Sequence, residues 1–191
     1  MKSLGFVMPS VRCRKARGST AGAGVGGFTL IEMMIVIAIA AILLAAAVPS
    51  FTDLIIRQRL QAEGSALMAD LALARSEAVR QSTTVTVCAS ANSASCSNAA
   101  NWAVGRITFV DQGTQGVFEP ASDRLLRVNA DASTADSLTP TQPLSSVSFR
   151  ADGTVAAAIA FSVCHSGYKG LSISVSAVGR PRMVNQSAVC P

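Results

Sequence analysis

The sequence has very little of the chemistry that enzymes and metal sites need. Its 191 residues include one histidine, one tryptophan and one tyrosine, and only 14% of the chain is charged. A single histidine, His165, gives little scope for a base-dependent mechanism, and the chain has neither a Gly-x-Ser-x-Gly nor a His-Glu-x-x-His motif. The chain has no Cys-x-x-Cys pair that would indicate a zinc site. The sequence therefore predicts a protein that is not an enzyme and uses no cofactor or metal.

The chain also has no excess of positive charge once its charges are located. The formal net charge is +5, from 16 basic and 11 acidic residues. Five of the basic residues precede Gly27, and the 11 that remain equal the acidic residues in number. A nearly neutral chain after Gly27 neutralises only a few phosphates, so we expect any affinity for nucleic acid to be weak and sensitive to salt.

A long apolar run follows the basic leader. From Phe28 to Val48 the 21 residues carry a single charge, at Glu32, and Pro49 comes next. As a helix the run would span roughly 30 Å, the hydrocarbon thickness of a bilayer. The basic leader predicts a cytoplasmic N-terminus and an extracytoplasmic C-terminal part. Inserting a carboxylate into the middle of a membrane costs about 2.5 to 3.5 kcal/mol, so we expect Glu32 to pair with an opposite charge.

An ordinary secretory signal is the main alternative for this N-terminus. Ala45, Ala46 and Ala47 offer a small-residue cleavage site after an apolar core. The apolar run is long for such a peptide and it contains Glu32, and both features favour a membrane helix.

Residues Gly27-Phe28-Thr29-Leu30-Ile31-Glu32 resemble the class III signal of type IV pilins and pseudopilins. The resemblance implies that prepilin peptidase removes residues 1–27 and that Phe28 becomes the N-methylated mature terminus. It also implies that Glu32 pairs with the terminal amine of a neighbouring subunit in a filament. Such a cation would offset the desolvation of the carboxylate. Residues 28–49 would then form a transmembrane helix that later enters the filament core.

Residues 50–81 predict an amphipathic continuation of this helix, which resumes beyond Pro49. Apolar residues recur at spacings of three, four and seven, which predicts a stripe that packs on the rest of the protein. That stripe consists of Leu60, Leu67, Leu71, Ala74 and Ala78. The polar positions are Arg57, Arg59, Glu63, Asp70, Arg75, Glu77 and Arg80.

Residues 82–191 predict an antiparallel β-rich head, because short β-prone runs alternate there with turn residues. Longer loops are expected at 90–101 and 129–146. The predicted strands are Thr83–Cys88, Trp102–Val110, Leu125–Val128, Val147–Phe149, Val155–Cys164, Leu171–Val178 and Arg182–Val184. The predicted class is therefore α+β, a type IV pilin fold in which a long N-terminal helix packs on the head.

The cysteines of the head predict disulfides. An extracytoplasmic location is oxidising, and Cys88, Cys96, Cys164 and Cys190 form an even set. Three pairings are possible. The sequence favours Cys88 with Cys96 and Cys164 with Cys190, because each pair brackets a local segment.

The head also resembles the GspH/FimT branch of minor pilins and pseudopilins. The resemblance lies in a cysteine-bearing strand after the helix, a strand with Trp102, the turn Phe149-Arg150-Ala151-Asp152-Gly153 and the segment Gly179-Arg180-Pro181-Arg182. It implies partners among major and minor pilins, and an inner-membrane protein with a periplasmic head that enters a pilus at or near its tip. A purely structural role in a type II secretion pseudopilus is the alternative.

Arg180 and Arg182 form a candidate DNA-binding element. Strand residues two apart point to one face, and paired guanidiniums can hold phosphates. The segment resembles the Gly-Arg-x-Arg element of FimT-type minor pilins, associated with DNA binding in natural transformation. It implies contacts to double-stranded DNA without sequence preference, with Gly179 allowing close approach and Lys169 a weaker candidate. Arginines and a proline on an edge strand also block aggregation, so both roles stay open.

Overall fold

The computed structural model describes residues 27–130 and 137–190, apart from the side chains of 46–50 and 186–189. Residues 1–26 of the predicted leader therefore lie outside the described residues. The chain divides into two units, Met1–Leu44 and Ala45–Pro191.

One helix of 52 residues, α1 (Leu30–Gln81), contains residues of both units. At its start, the Thr29 hydroxyl oxygen accepts a hydrogen bond from the Glu32 N–H at 3.2 Å, which caps one of the free donors. The helix passes through Pro49, as the sequence predicts. Its C-terminus is closed by a Schellman pair, in which the N–H of Thr83 donates to the oxygen of Ala78 and the N–H of Ser82 to that of Val79.

In the first unit, α1 presents large apolar side chains in every direction. From Phe28 to Leu44 these side chains are 51% to 79% exposed. A helix that is apolar all round is normally buried in a larger assembly or a bilayer. Within the described part of the chain, no helix combines the length and apolarity needed to cross a membrane.

The second unit holds two four-stranded sheets, and every pair of neighbouring strands is antiparallel. A short 3-10 helix, Trp102–Val104, precedes the second strand. The strands of the first sheet, in the order β3-β2-β1-β5, are β1 (Val85–Ala89), β2 (Gly105–Val110), β3 (Arg124–Ala130) and β5 (Ser146–Phe149). Those of the second, in the order β4-β6-β7-β8, are β4 (Ser137–Pro140), β6 (Ile159–Cys164), β7 (Lys169–Val175) and β8 (Pro181–Val189).

The head core forms between the apolar stripe of α1 and the two sheets. The five predicted stripe residues, from Leu60 to Ala78, are at most 2% exposed and belong to one cluster with residues of both sheets, so that prediction is confirmed. Trp102 is fully buried in this cluster. Its ring lies edge-on to Phe161, with centroids 4.9 Å apart, and its N–H donates to the Leu144 carbonyl at 3.2 Å. The α+β class predicted from the sequence is confirmed.

Several strand predictions need correction, since Trp102–Val104 is a 3-10 helix and β7 ends at Val175 rather than Val178. Strand β4 lies inside the predicted loop 129–146, because its stability comes from pairing with β6 rather than from a local apolar pattern. Only Ile159–Cys164 of the predicted Val155–Cys164 is a strand, since the alanines at 156–158 are exposed. Strand β8 continues to Val189, beyond the predicted end at Val184, because it pairs with β7 over that length.

A buried ion-pair network corrects the prediction for the polar face of α1. Glu63 and Asp70 are 2% and 1% exposed, although the sequence assigns them to the polar positions. Arg106 of β2 supplies the counter-charge: its guanidinium lies 2.6 Å from a Glu63 oxygen and 3.1 Å from an Asp70 oxygen. Asp70 also accepts from Asn129 of β3 at 3.2 Å. These contacts join the helix to the first sheet at a defined position.

Candidate functional site

Arg180 and Arg182, the hairpin arginines, lie where β7 turns into β8. The turn is closed by the Gly179 N–H donating to the Ser176 oxygen at 2.7 Å and the Ser176 N–H donating to the Arg180 oxygen at 3.1 Å. Strand β8 begins at Pro181, so Arg180 belongs to the turn and only Arg182 to the strand. Proline at the first position of an edge strand removes no sheet hydrogen bond.

Both hairpin arginines face away from the core. Register places Arg182 opposite Ser174, on the sheet face opposite to the buried Ile173 and Val175. Arg180 and Arg182 are exposed, and neither guanidinium forms an ion pair or hydrogen bond with the chain over 27–130 and 137–190. Two exposed, unpaired guanidiniums can each donate hydrogen bonds to phosphate oxygens.

Gly179 is buried beside these arginines, where it packs against another turn. Its φ is +73°, and a β-carbon there would overlap the carbonyl oxygen of Gly153. That same oxygen accepts a hydrogen bond from Nε of Arg75 on α1 at 3.2 Å. The Val155 N–H also donates to the Ala177 oxygen at 3.1 Å. The absence of a side chain at Gly179 therefore serves contact between two turns of the head.

This contact adds two cations that sequence reasoning missed. Arg150 is exposed and begins the second turn, where its carbonyl accepts from the Gly153 N–H at 2.8 Å. Arg75 reaches the same turn from the helix. In the sequence, each of the two turns carries an arginine near a glycine, and this was the one local sign that they are related. Their contact depends on the tertiary structure. The contact thus brings the turn that holds Arg150, together with the carboxylate of Asp152, next to the turn that holds Arg180.

Lys169 lies apart from the hairpin arginines. It begins β7 and pairs with Val189, whereas Ser176 and the turn follow the other end of that strand. Seven residues of strand separate Lys169 from Ser176 by roughly 23 Å. The structure therefore does not bring the weaker candidate to the arginine site, and places it beside Tyr168 in a groove against α1.

The head contains two disulfides, Cys88–Cys96 and Cys164–Cys190. This is the pairing that the sequence favours. The second bridge joins β6 to the residue after β8, and the Cys190 N–H donates to the Tyr168 oxygen at 2.8 Å. It therefore fixes the C-terminal strand and the loop before β7 to one another.

The assembly residues predicted from the sequence lie at the start of α1. Gly27 and Phe28 are exposed and precede the helix, and Glu32 is exposed in its first turn. The Glu32 carboxylate forms no ion pair with the described chain. A negative charge is favourable at a helix N-terminus. The arrangement leaves the carboxylate accessible to a cation from another molecule.

Two family models match the chain. Residues 63–179 match the family described as Type II transport protein GspH, and residues 23–48 match the prokaryotic N-terminal methylation motif. No curated protein matches the sequence.

Solved structures are similar to this chain, and the two with TM-scores of at least 0.50 share its fold. The type IV minor pilin FimU of Pseudomonas aeruginosa is similar in one crystal form with 22% identity and a TM-score of 0.55, covering 70% of this chain and 97% of that one. In a second crystal form the identity is 21% and the TM-score 0.50, over 68% and 99%. The minor pseudopilin EpsH from the Type 2 Secretion System of Vibrio cholerae has 11% identity and a TM-score of 0.45, over 68% and 99%. At these identities the likeness concerns the fold alone.

Proposed function

Because the chain belongs to the GspH family of minor pilins and pseudopilins, we propose that it is a minor type IV pilin that assembles with other pilins at or near a pilus tip. One observation carries this proposal. Within the match to the methylation motif at residues 23–48, the chain exposes apolar side chains on all sides from Phe28 to Leu44, with the single carboxylate of Glu32 near the start of α1. Such a surface suits a helix that passes from a bilayer into a bundle of apolar helices from other pilins.

Before assembly, the subunit is held in the inner membrane by residues 28–49, with its head in the periplasm. Prepilin peptidase cuts after Gly27, and Phe28 carries the methylated amine. The apolar run and the motif match at residues 23–48 support this arrangement. The N-terminal mass of the protein isolated from membranes tests it: a methylated Phe28 terminus is expected, and a terminus following Ala47 would contradict it.

Glu32 pairs with the terminal amine of a neighbouring pilin subunit. Its accessible, unpaired carboxylate supports this role, since a charge buried among apolar helices needs an opposite charge. Glu32→Gln is expected to lower incorporation into pili at least tenfold, while cleavage after Gly27 continues. Glu77→Gln is the control, because it removes a carboxylate from the same helix far from the N-terminus. Equal incorporation of the two variants would contradict the role of Glu32.

The filament is a type IV pilus rather than a secretion pseudopilus. Deletion of the gene separates the two, because loss of surface pili with normal protein secretion is the expected result. Normal piliation with defective secretion would instead show that the subunit belongs to the secretion pseudopilus.

A second function, DNA capture by the head, is favoured by the unpaired hairpin arginines. Arg180 and Arg182 contact phosphates of double-stranded DNA without sequence preference, and Arg150 adds charge to the same region. Gly179 contributes by fixing the turn rather than by touching DNA. Few contacts make the affinity modest and dependent on salt.

Duplex binding by the mature chain in neutral detergent, at two salt concentrations, tests DNA capture. Arg180→Gln and Arg182→Gln are each expected to weaken binding and to reduce the salt slope by about one. Arg59→Gln is the matched control, since Arg59 is also exposed but lies on α1. If all three substitutions change binding equally, Arg180 and Arg182 contribute no more than any other surface charge. They would then act only as unspecific positive charge or as protection of the edge strand against aggregation.

A further inference from the structure

A groove of about 820 Å³ opens in the head between the helix and the loop before β7. Helix residues spaced by four line one wall and the beginning of β7 lines the other. Its polar lining residues are Asp53, Arg57, Gln61, Tyr168, Lys169 and Asn185.

The charges in this groove favour an anion. Arg57 and Lys169 are exposed, and neither has an ion-pair partner among the residues that the structure describes. The one carboxylate, Asp53, accepts a hydrogen bond from the Tyr168 hydroxyl at 2.7 Å. This hydrogen bond and partial burial raise the pKa of Tyr168, so the phenol keeps its proton. Two cations therefore face the groove while its only carboxylate is already engaged.

The helix beside the groove carries exposed apolar residues. Phe51, Leu54 and Ile55 are 66%, 52% and 43% exposed, and they follow the apolar run that ends at Pro49. At 1.5 Å per residue, Arg57 comes about 12 Å along the helix after Pro49. The polar layer of a bilayer leaflet is roughly 5 to 8 Å thick, and tyrosine and basic residues concentrate at this level. A long Arg57 side chain reaches that layer.

We propose that the groove binds the phosphate of an anionic phospholipid head group while the subunit is anchored in the membrane, before it enters the filament. The inference rests on the proposed membrane anchoring by residues 28–49. Arg57 and Lys169 hold the phosphate, and the exposed apolar residues rest in the interface beside it. A lipid fits better than DNA, because the groove lies at the far end of β7 from the hairpin arginines and its helix wall begins at Asp53, four residues after Pro49 in the sequence.

Native mass spectrometry of the mature full-length chain in a neutral maltoside tests this, with equal amounts of phosphatidylglycerol and phosphatidylcholine added. The wild-type chain is expected to retain phosphatidylglycerol selectively. Arg57→Gln and Lys169→Gln are each expected to weaken its retention about fivefold. Arg59→Gln removes the same charge outside the groove and should change retention less than twofold. Asp53→Asn keeps an acceptor for Tyr168 but removes the negative charge, so it should tighten retention, a gain that misfolding does not produce.

Four results would overturn the inference. One is equal retention of the two lipids, and another is an effect of Arg59→Gln as large as that of Arg57→Gln. A third is equally tight binding of free glycerol phosphate, which would make this a site for soluble phosphate. The fourth is displacement of the lipid by duplex DNA or by a second copy of the chain in a dimer. Membrane fractionation distinguishes failure of the lipid site from failure of the proposed membrane anchoring. If the wild-type chain is absent from membranes, both proposals are wrong. If the chain is bound to membranes but shows no lipid selectivity, only the lipid site in the groove is wrong.

Discussion

The α-carbon of Gly179 packs directly against the carbonyl oxygen of Gly153, which leaves no space for a side chain at position 179. The contact joins the two turns that carry Arg150 and Arg180, and Arg75 of α1 donates to the same carbonyl. Basic residues from three parts of the chain are thereby held at one end of the head.

Gly179→Ala is expected to destabilise the head by about 2 kcal/mol or more, because it combines a strained positive φ with a clash against backbone. Gly167→Ala is the matched control. Gly167 has a similar φ of +80°, but no atom lies within 4 Å of a β-carbon there. Chemical denaturation of the mature chain in detergent measures both. Equal losses would show that backbone strain alone sets the cost and that the turn contact contributes little.

Arg106→Met is expected to destabilise the protein by about 3 to 5 kcal/mol, because it leaves Glu63 buried without a counter-charge and Asp70 with only the half-exposed Arg127. Arg127→Met provides the comparison. Arg127 also pairs with Asp70, at 3.4 Å, but its side chain is 47% exposed, so a loss below about 1 kcal/mol is expected. The same denaturation measurement separates them. A small effect of Arg106→Met would mean that the network adds little net stability.

The Asp123 carboxylate predicts a stability change in acid. Burial raises its pKa, but the backbone N–H groups of Glu119, Gln112 and Gly113 donate to it and lower the pKa overall. A lowered pKa stabilises the fold above the unfolded value near 4, and this contribution disappears as pH falls through the folded pKa. Asp123→Asn should therefore cost on the order of 1 kcal/mol at pH 7, after allowance for solvent screening, and progressively less below pH 4.

Denaturation midpoints of wild-type and Asp123→Asn proteins between pH 2 and 7 test this. Asp152→Asn serves as the exposed comparison, since Asp152 accepts mainly from Thr154 in its own turn. A difference between wild type and Asp123→Asn that stays constant down to pH 2 would exclude ionisation of this carboxylate as its origin.

The two disulfides are expected to differ in strength. Cys164–Cys190 closes a loop of 26 residues and Cys88–Cys96 one of eight. Chain entropy then predicts losses of about 3.5 and 2.5 kcal/mol for the paired alanine variants. Thermal unfolding of the two double variants measures the difference. The order would be reversed if the buried Cys88 contributes more through packing than through loop closure.

Much of the fold could be predicted because its signals are local. Spacings of three, four and seven identified the stripe from Leu60 to Ala78, and short β-prone runs between turn residues identified most strands. Strand β4 was missed because Leu138 is its only fully buried residue, and its partner β6 lies beyond a long loop. Glu63 and Asp70 were misplaced because charge in a helix normally indicates solvent, and Arg106 meets them only after the sheet has formed.

For the candidate site, the sequence by itself determined the chemistry. It identified the apolar run with Glu32, the even set of cysteines and the arginines on either side of Pro181, since residue type and short spacing fix these features. Tertiary structure alone decided which groups meet. Contact between distant turns joined Gly153 to Gly179 and brought Arg150 to the hairpin arginines. Strand register separated Lys169 from them, because position along a strand, rather than nearness in sequence, sets the distance between side chains.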